Sequence, residues 1–266
     1  SIVIPFYNEE NMIQKMYDEL VKEINQITKA EFEIIFINDG SKDRTFERML
    51  AIAAGDSRVK YISFSRNFGK EAGTIAGLEY ATGEAVILMD GDLQHPPALL
   101  PQMIKAYEEG YDVVSARRTR TGEKPHRTFL AKHFYRLANK MMDIELMDGV
   151  SEFRLFSRKA VSAILSLQEY NRFSKGIFAW IGFKEKVIEY ENQVRTVGET
   201  KYSLKFSLNY AIQGILSFND KPLRMCINFG LFCLLISLVY VLWTFIQYLV
   251  VQIGRASCRE RVCLYV

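Results

Sequence analysis

The sequence lacks cysteine over its first 225 residues, and all four cysteines lie between Cys226 and Cys263. Neither a disulfide nor a thiolate zinc site can therefore form in that region, which suits a reducing compartment. The glycine patterns GxxxxGK[ST] and GxGxxG are also missing, which excludes the P-loop and the dinucleotide-binding fingerprint. Because 34 Lys and Arg are nearly balanced by 31 Asp and Glu, the net charge gives no reason to expect a nucleic-acid partner, and we predict none.

Charge is missing from one further stretch. Residues 225–253 contain no Asp, Glu, Lys or Arg and are apolar almost throughout. A helix of this length exceeds the roughly 20 residues that cross a bilayer. The alternative is a buried core helix, but an uncharged core helix of this length is rare. We therefore predict a transmembrane span, and the basic residues on both of its sides leave its orientation open.

The composition divides the chain into four parts. We predict a catalytic domain over 1–200, an amphipathic juxtamembrane helix over 201–224, the span over 225–253 and a tail over 254–266. The apolar spacing of 202–218 fits a helix at the membrane interface, and it also fits a helix packed on the catalytic domain. The tail resembles a read-through sequence that recurs as a cloning artefact, so we interpret it as non-native and exclude it from the fold.

The catalytic region alternates short β-branched runs with amphipathic stretches. Helices are predicted to begin near Glu10, Thr45, Glu71 and Pro97, and further helices near 127–142 and 158–167. Apolar runs such as Ile34–Ile37 and Ala85–Met89 are typical of strands covered on both faces. The prediction is an α/β fold with a mostly parallel sheet flanked by helices. The predicted strands are IVIP, EIIFIND, VKYISFS, AVILMD, YDVVSAR and EKVIEYE.

Polar residues follow each of the first four predicted strands. In open α/β sheets, ligands bind outside the carboxyl ends of the strands. Four polar strand ends in succession therefore predict a site for a charged, polyhydroxylated ligand. The segments are PFYNEE, NDGS, SRNFGK and DGDLQH.

The strongest single motif is Asp90-Gly91-Asp92. Two carboxylates just after a buried strand can present oxygens to Mg²⁺ or Mn²⁺, with substrate phosphates completing the coordination. The same tripeptide is also an ordinary turn. The following Leu-Gln-His-Pro-Pro and the presence of Asp39 on a neighbouring strand end favour the metal interpretation.

Five segments together resemble a known family. They are IPFYNEE, INDGSKDRT, SRNFGKEAG, MDGDLQHPP and VRTVGETKYS, in that order. The chain resembles family 2 glycosyltransferases, which have the GT-A fold. Within them it is similar to the polyprenyl-phosphate glycosyltransferases, a group that includes dolichyl-phosphate mannose synthase and bactoprenol glucosyltransferase.

The resemblance implies overlapping sets of site residues. Arg117 would lie in a basic loop that closes over the site, and Arg195 and Lys201 would grip phosphate. The catalytic set is Asp90, Asp92, Arg117, Arg195 and Lys201. The nucleotide-sugar set is Pro5, Tyr7, Glu9, Asp39, Asp90 and Gln94. The metal set is Asp90, Asp92 and Gln94. The acceptor-phosphate set is Ser151, Arg154, Arg195 and Lys201.

The resemblance also implies a reaction. We expect metal-dependent transfer of one hexose, with inversion, from a nucleotide sugar to a polyprenyl phosphate at the cytoplasmic face of the cell membrane. UDP-glucose and undecaprenyl phosphate are favoured. A phosphate monoester is already largely anionic near pH 7, so the acceptor needs no strong general base. The Gln-x-x-Arg-Trp motif of processive synthases is absent, which argues against polymerisation.

Several alternatives stay open from the sequence. The donor can instead be UDP-N-acetylglucosamine or GDP-mannose, and the acceptor another lipid or a glycan. A membrane-bound subunit that binds sugar nucleotides without turnover is a non-enzymatic alternative, although such a subunit would usually have lost a metal carboxylate. The sequence also leaves open whether the chain forms a homo-oligomer.

Overall fold

In a computed structural model, the described residues are 1–119, 136, 139–140, 144, 147–169, 172–191, 219 and 221–263. The chain forms two compact units, Ser1–Phe218 and Asn219–Val266. The predicted juxtamembrane helix, apart from its last few positions, and most of the predicted helix over 127–142 lie outside the described residues.

One seven-stranded sheet organises the first unit, in the order β3-β2-β1-β4-β6-β5-β7. Strands β1 to β4 are mutually parallel, β6 is antiparallel to both of its neighbours, and β7 is parallel to β5. The mostly parallel sheet confirms the predicted fold class. The strands are β1 (Ile2–Phe6), β2 (Ile34–Asn38), β3 (Val59–Ser63), β4 (Ala85–Leu88), β5 (Val113–Arg118), β6 (Val150–Ser157) and β7 (Glu185–Tyr190).

Helices cover both faces of this sheet. One face packs against α1, α2 and α4, and the other packs against α3, α5 and α6. A short 3₁₀ turn at Pro97–Leu99 precedes α4, as the proline at this position favours. The helices are α1 (Ile13–Ile24), α2 (Thr45–Gly55), α3 (Lys70–Tyr80), α4 (Leu100–Glu108), α5 (Arg158–Ser166) and α6 (Ser174–Trp180).

Helix α1 begins three residues later than its pattern predicts. The backbone amide of Glu9 donates to Thr45 Oγ1 at 2.9 Å, and that of Glu10 donates to Asp43 Oδ2 at 3.2 Å. These bonds tie the turn after β1 to the loop after β2. The first helical turn therefore forms only once the chain has left that loop, at Ile13.

Helix α3 lies unusually close to β1 because of a glycine. A Cβ atom added at Gly77 would lie 2.1 Å from Val3 Cγ1 and 2.7 Å from Ile37 Cδ1. Only a residue without a side chain permits this approach. The close packing fixes the position of Lys70, the first residue of α3, relative to the ends of the strands.

In the second unit, the structure describes one long helix, α7 (Lys221–Cys263). Its segment Leu223–Gln252 is long and apolar enough to cross a membrane, by length and composition. The large apolar side chains of this segment are exposed, unlike those of a core helix in a soluble protein. The helix extends beyond residue 253, so the first part of the tail that we interpret as non-native is helical.

Candidate active site at the carboxyl ends of the strands

The strand directions bring the predicted polar segments to one edge of the sheet, which we call the site edge. Strands β1 to β5 and β7 end there, and the antiparallel β6 begins there. Leu88 of β4 pairs with Arg154 of β6, and continuing this register sets Asp90 opposite Glu152. The start of β6 therefore adds a carboxylate to the predicted site.

Lys70 joins these two carboxylates. Its Nζ lies 2.5 Å from Asp90 Oδ1 and 2.6 Å from Glu152 Oε2. The side chains of Asp90 and Glu152 are 28% and 16% exposed. One ammonium thus holds together two carboxylates that would otherwise repel each other across neighbouring strands.

The ion pairs shift the ionisation of the groups that form them. Burial raises the pKa of Asp90, but the positive charge of Lys70 and the hydrogen bond from it outweigh burial and lower that pKa to about 2. Burial lowers the pKa of Lys70, but Asp90 and Glu152 raise it well above its ordinary value. At neutral pH, Asp90 is therefore an anion and Lys70 a cation.

His95 supports Asp90 from below the site edge. The backbone amide of Asp90 donates to His95 Nδ1 at 3.3 Å. The ring of His95 stacks on Phe153 at 5.5 Å and meets Tyr190 edge-on at 6.4 Å. Burial lowers the pKa of His95 despite the nearby charge of Asp90. We infer that His95 positions the turn after β4 and is neutral at neutral pH.

Asp92 and Gln94 lie in that same turn. The backbone amide of Gln94 donates to Asp92 Oδ1 at 3.1 Å. Leu93, between them, has a φ of 58°, a left-handed conformation that reverses the chain. A Cβ at Gly91 would lie 2.3 Å from the Phe6 ring, so the turn packs closely over the end of β1.

The donor atoms of this turn fit a divalent cation only in part. Among the residues that the structure describes, no cluster of three or more His, Cys, Asp or Glu is arranged to hold a metal. Asp90 and Asp92 nevertheless offer two carboxylates. Magnesium usually binds one or two carboxylates together with substrate phosphates. The residues therefore fit a cation that shares its coordination with a diphosphate, rather than a complete protein cage.

Asp39 is buried, at 4% exposure, directly after β2. Its carboxylate accepts from the backbone amides of Phe68 and Gly69, at 2.7 Å and 3.0 Å, and from Asn67 Nδ2 at 2.9 Å. Burial raises the pKa of Asp39, and the backbone hydrogen bonds oppose that shift. These contacts show Asp39 fixing the turn that leads into α3, while its predicted contact with the nucleotide base stays a prediction.

The remaining predicted nucleotide residues lie beside Asp39. Pro5 faces α3, where a Cβ atom added at Gly73 would lie 3.4 Å from the Cβ atom of Pro5. Tyr7 and Glu9 are half-buried in the turn after β1. Between them, the backbone amide of Asn8 donates to Ser41 Oγ at 3.0 Å. The turns after β1 and β2 are therefore one connected wall of the site edge.

The predicted acceptor residues do not all lie at this edge. Ser151, at the start of β6, donates to the carbonyl of Ala116 at 3.0 Å. Arg154 lies deeper, is 5% exposed, and has its Nη1 3.6 Å from Glu185 Oε1. Burial lowers the pKa of Arg154, although Glu185 raises it. Its predicted contact with the acceptor phosphate stays a prediction.

Arg117, Arg195 and Lys201 complete the predicted set. Arg117 lies near the end of β5 and donates from Nη2 to Glu189 Oε1 on β7. Arg195 and Lys201 lie outside the described residues, so their roles stay predictions.

Sequence reasoning missed three residues of the site edge, which are Lys70, Glu152 and Lys175. Lys70 is the last residue of the SRNFGK segment that follows β3, and Glu152 lies between the predicted acceptor residues Ser151 and Arg154. Lys175, the second residue of α6, interacts electrostatically with Glu152, Lys70, Arg154 and Asp90. Lys70 and Glu152 carried a weak signal in their positions, whereas nothing local to α6 indicated Lys175.

Comparison with curated proteins identifies close relatives. CsbB of Bacillus subtilis (strain 168), which carries a provisional glycosyltransferase name, is 51% identical over 249 residues, covering 94% of this chain and 75% of CsbB. The bactoprenol glucosyl transferase of Shigella phage SfV is 41% identical over 251 residues, covering 94% of this chain and 81% of that protein.

Comparison with solved structures identifies the fold. Glucosyl-3-phosphoglycerate synthase from Mycobacterium tuberculosis, in complex with Mn²⁺, UDP and phosphoglyceric acid, superposes with a TM-score of 0.51 at 19% identity, covering 80% of this chain and 75% of that one. This likeness confirms the predicted GT-A fold. The profile described as Glycosyl transferase family 2 matches residues 1–165. Because of this match and the 51% identity to CsbB, the chain belongs to glycosyl transferase family 2 and is a glycosyltransferase.

Proposed function

We propose that this glycosyltransferase moves a single hexose, with inversion, from UDP-glucose to the phosphate of a polyprenyl phosphate. The reaction uses Mg²⁺ or Mn²⁺ and takes place at the cytoplasmic face of the cell membrane. The observation that carries the proposal is the 41% identity, over 94% of the chain, to a protein named bactoprenol glucosyl transferase. The apolar segment Leu223–Gln252 supports a lipid-bound acceptor.

The proposed donor site uses the turns after β1, β2 and β4. Pro5, Tyr7, Glu9 and Asp39 line the nucleotide, and Gln94 faces its diphosphate. Asp90 and Asp92 are the proposed ligands of the divalent cation. Lys70 lies 2.5 Å from Asp90 Oδ1 and the Gln94 backbone amide lies 3.1 Å from Asp92 Oδ1, so both proposed ligands are held in position by the protein. When bound, the cation neutralises charge that develops on the leaving diphosphate.

Lys70 keeps the site in a usable charge state. Without it, Asp90 and Glu152 would repel each other. With it, both carboxylates remain in fixed positions on adjacent strands. A site whose dipoles and charges are fixed before the substrate arrives stabilises a charged transition state without reorganising.

The acceptor is an anion and needs no strong general base. Arg117, Arg195 and Lys201 are proposed to bring positive charge to the two phosphates, with Ser151 and Arg154 on the acceptor side. The apolar helix is proposed to hold the enzyme where the lipid headgroup emerges, because the polyprenyl tail stays in the bilayer. The cysteine-free first unit suits the cytoplasmic side.

The test is a panel of radiolabelled sugar nucleotides with undecaprenyl phosphate, in the presence of Mn²⁺ or of EDTA. The readout is label entering the organic phase. UDP-glucose should give the largest signal, and EDTA should remove it. A larger signal with UDP-N-acetylglucosamine or GDP-mannose would correct the donor, and no organic-phase label from any donor would refute the lipid acceptor.

The Asp92→Ala variant tests the proposed ligand. We expect transfer to fall by about 100-fold or more, which is the loss that removing one electrostatic contact to a transition state commonly causes. Asp18→Ala is the matched control, since Asp18 is an exposed residue of α1 that bonds only Gln14 in the described structure. Turnover that survives both EDTA and Asp92→Ala would refute the metal mechanism.

A further inference from the structure

Hydrogen bonds between α3 and α6 help to position Lys175 near the site edge. The backbone amide of Ser174, at the start of α6, donates to Glu71 Oε2 at 3.2 Å, and the Ser174 hydroxyl donates to the same oxygen. Glu71 follows Lys70 in α3. The beginning of α6 is therefore tied to the helix that carries Lys70, and Lys175 is the next residue of α6.

Within the described part of the chain, the ammonium group of Lys175 has neither an ion pair within 4.0 Å nor a side-chain hydrogen bond, although the side chain is half-buried. The neighbouring cations are engaged. Lys70 bridges Asp90 and Glu152, and Arg154 lies 3.6 Å from Glu185. Burial lowers the pKa of Lys175, and Glu152 only partly offsets this. Removing an ammonium from water without a partner costs free energy, so this group is suited to meet an anion.

The charge balance around it also calls for an additional cation. Lys70 contributes one positive charge and Asp90 and Glu152 contribute two negative charges. An approaching phosphate would meet net negative charge on this side of the site. A second ammonium beside Glu152 offsets that repulsion.

We propose that Lys175 binds the phosphate headgroup of the acceptor lipid. This inference rests on the proposed function and adds one binding residue to it. The sheet order assigns the phosphate. The proposed nucleotide residues follow β1 and β2. Helix α6, which carries Lys175, packs on β6, because its Phe178 ring lies 4.8 Å from the Phe156 ring and 5.2 Å from the Arg154 guanidinium. Strand β4, followed by Asp90, lies between these two sides. Lys175 therefore lies across Asp90 from the nucleotide, where the nucleophile must approach.

The test compares Lys175→Gln, Lys175→Arg and Lys159→Gln in the full chain. Lys159 is an exposed residue of α5, so its substitution is the matched change of charge. The initial rate is measured against polyprenyl phosphate at fixed donor, and against donor at fixed polyprenyl phosphate. Donor hydrolysis without lipid is measured in parallel, and a thermal melt checks that each variant is folded.

We expect Lys175→Gln to raise the KM for polyprenyl phosphate about 10-fold, which is the usual weight of one hydrogen bond to a charged group. The KM for the donor and the rate of donor hydrolysis should stay within about twofold of the parent. Lys175→Arg should recover most of the acceptor affinity, because it keeps the charge. Lys159→Gln should match the parent throughout.

Two results would overturn the inference alone. One is an unchanged acceptor KM in a folded Lys175→Gln variant. The other is a rise in donor KM or a fall in donor hydrolysis, which would assign Lys175 to the donor diphosphate. If the parent chain transfers no sugar to polyprenyl phosphate, the proposed function fails and this inference falls with it.

Discussion

The two edges of the sheet arrange their charged side chains differently. At the edge opposite the site, Glu33 receives Lys60 Nζ at 2.6 Å, the backbone amide of Thr82 at 2.6 Å and the Thr82 hydroxyl at 2.9 Å. At the site edge, Lys70 is shared by two carboxylates and Lys175 has no ion pair among the described residues.

The charged groups at the opposite edge stabilise the fold, whereas those at the site edge are arranged to bind a charged ligand. Burial alone would raise the pKa of Glu33, but hydrogen bonds from Lys60, Ser1 and Thr82 hold it well below its ordinary value. That carboxylate is fully satisfied by the protein. The site edge leaves positive and negative charges incompletely matched, which is expected where a charged substrate completes the arrangement.

Lys70→Met should have the largest effect, because it leaves Asp90 and Glu152 facing each other without a cation. We expect transfer activity to fall by about 100-fold or more. The free energy of unfolding should fall by about 1–3 kcal/mol, less than for a fully buried pair because the Lys70 side chain is 35% exposed. Activity is measured as label in the organic phase and stability by urea denaturation.

Lys60→Met is the matched control at the opposite edge. It removes the lysine that bonds Glu33, and we expect some loss of stability with transfer unchanged. Equal losses of activity from Lys60→Met and Lys70→Met would contradict the contrast between the two edges.

Glu33→Gln should destabilise the fold by about 1.5 kcal/mol at pH 7, because it weakens hydrogen bonds to a charged group. The pKa of Glu33 is lower in the folded chain than in the unfolded chain. Its contribution is therefore fully present above the unfolded pKa, about 4.3, and is lost as the pH falls below that value.

Denaturation of the parent and of Glu33→Gln at pH 7, 5 and 3 measures this dependence. The difference in unfolding free energy between the parent and Glu33→Gln should be about the same at pH 7 and at pH 5, and it should shrink at pH 3. A difference that grows on acidification would mean that the hydrogen bonds do not favour the ionised carboxylate.

Tyr17→Phe should have the smallest effect. It removes the hydroxyl that donates to Asp56 Oδ2 at 2.9 Å, in a cluster that also contains Arg58. We expect a loss of about 0.5–1.5 kcal/mol in unfolding free energy and no change in transfer. A measurable change in the KM for either substrate would show that the opposite edge communicates with the site.

Much of the fold was predictable because its signals are local. The apolar runs of β2 and β4 indicated buried parallel strands, with Asp39 directly after β2 and Asp90 two positions after β4. Their meeting at one edge follows from the parallel direction alone. The start of α2 at Thr45 also agrees with the pattern.

The missed site residues depend on non-local pairing. Nothing in the sequence of β6 reveals that it runs antiparallel between β4 and β5, yet this direction brings Glu152 beside Asp90. Lys175 lies near the site in part because Glu71 bonds Ser174 across 103 positions of sequence. Such contacts depend on tertiary packing, and the local hydrophobic periodicity of the sequence does not predict them.

Mass spectrometry of the lipid product tests the central claim most directly. Undecaprenyl phosphate is incubated with the full chain, UDP-glucose and Mn²⁺, and the molecular mass of the extracted lipid is measured. We expect a species heavier than the acceptor by one hexose residue, absent with Asp92→Ala and never extended by a second sugar. Unmodified lipid alone, or a ladder of added sugars, would contradict it.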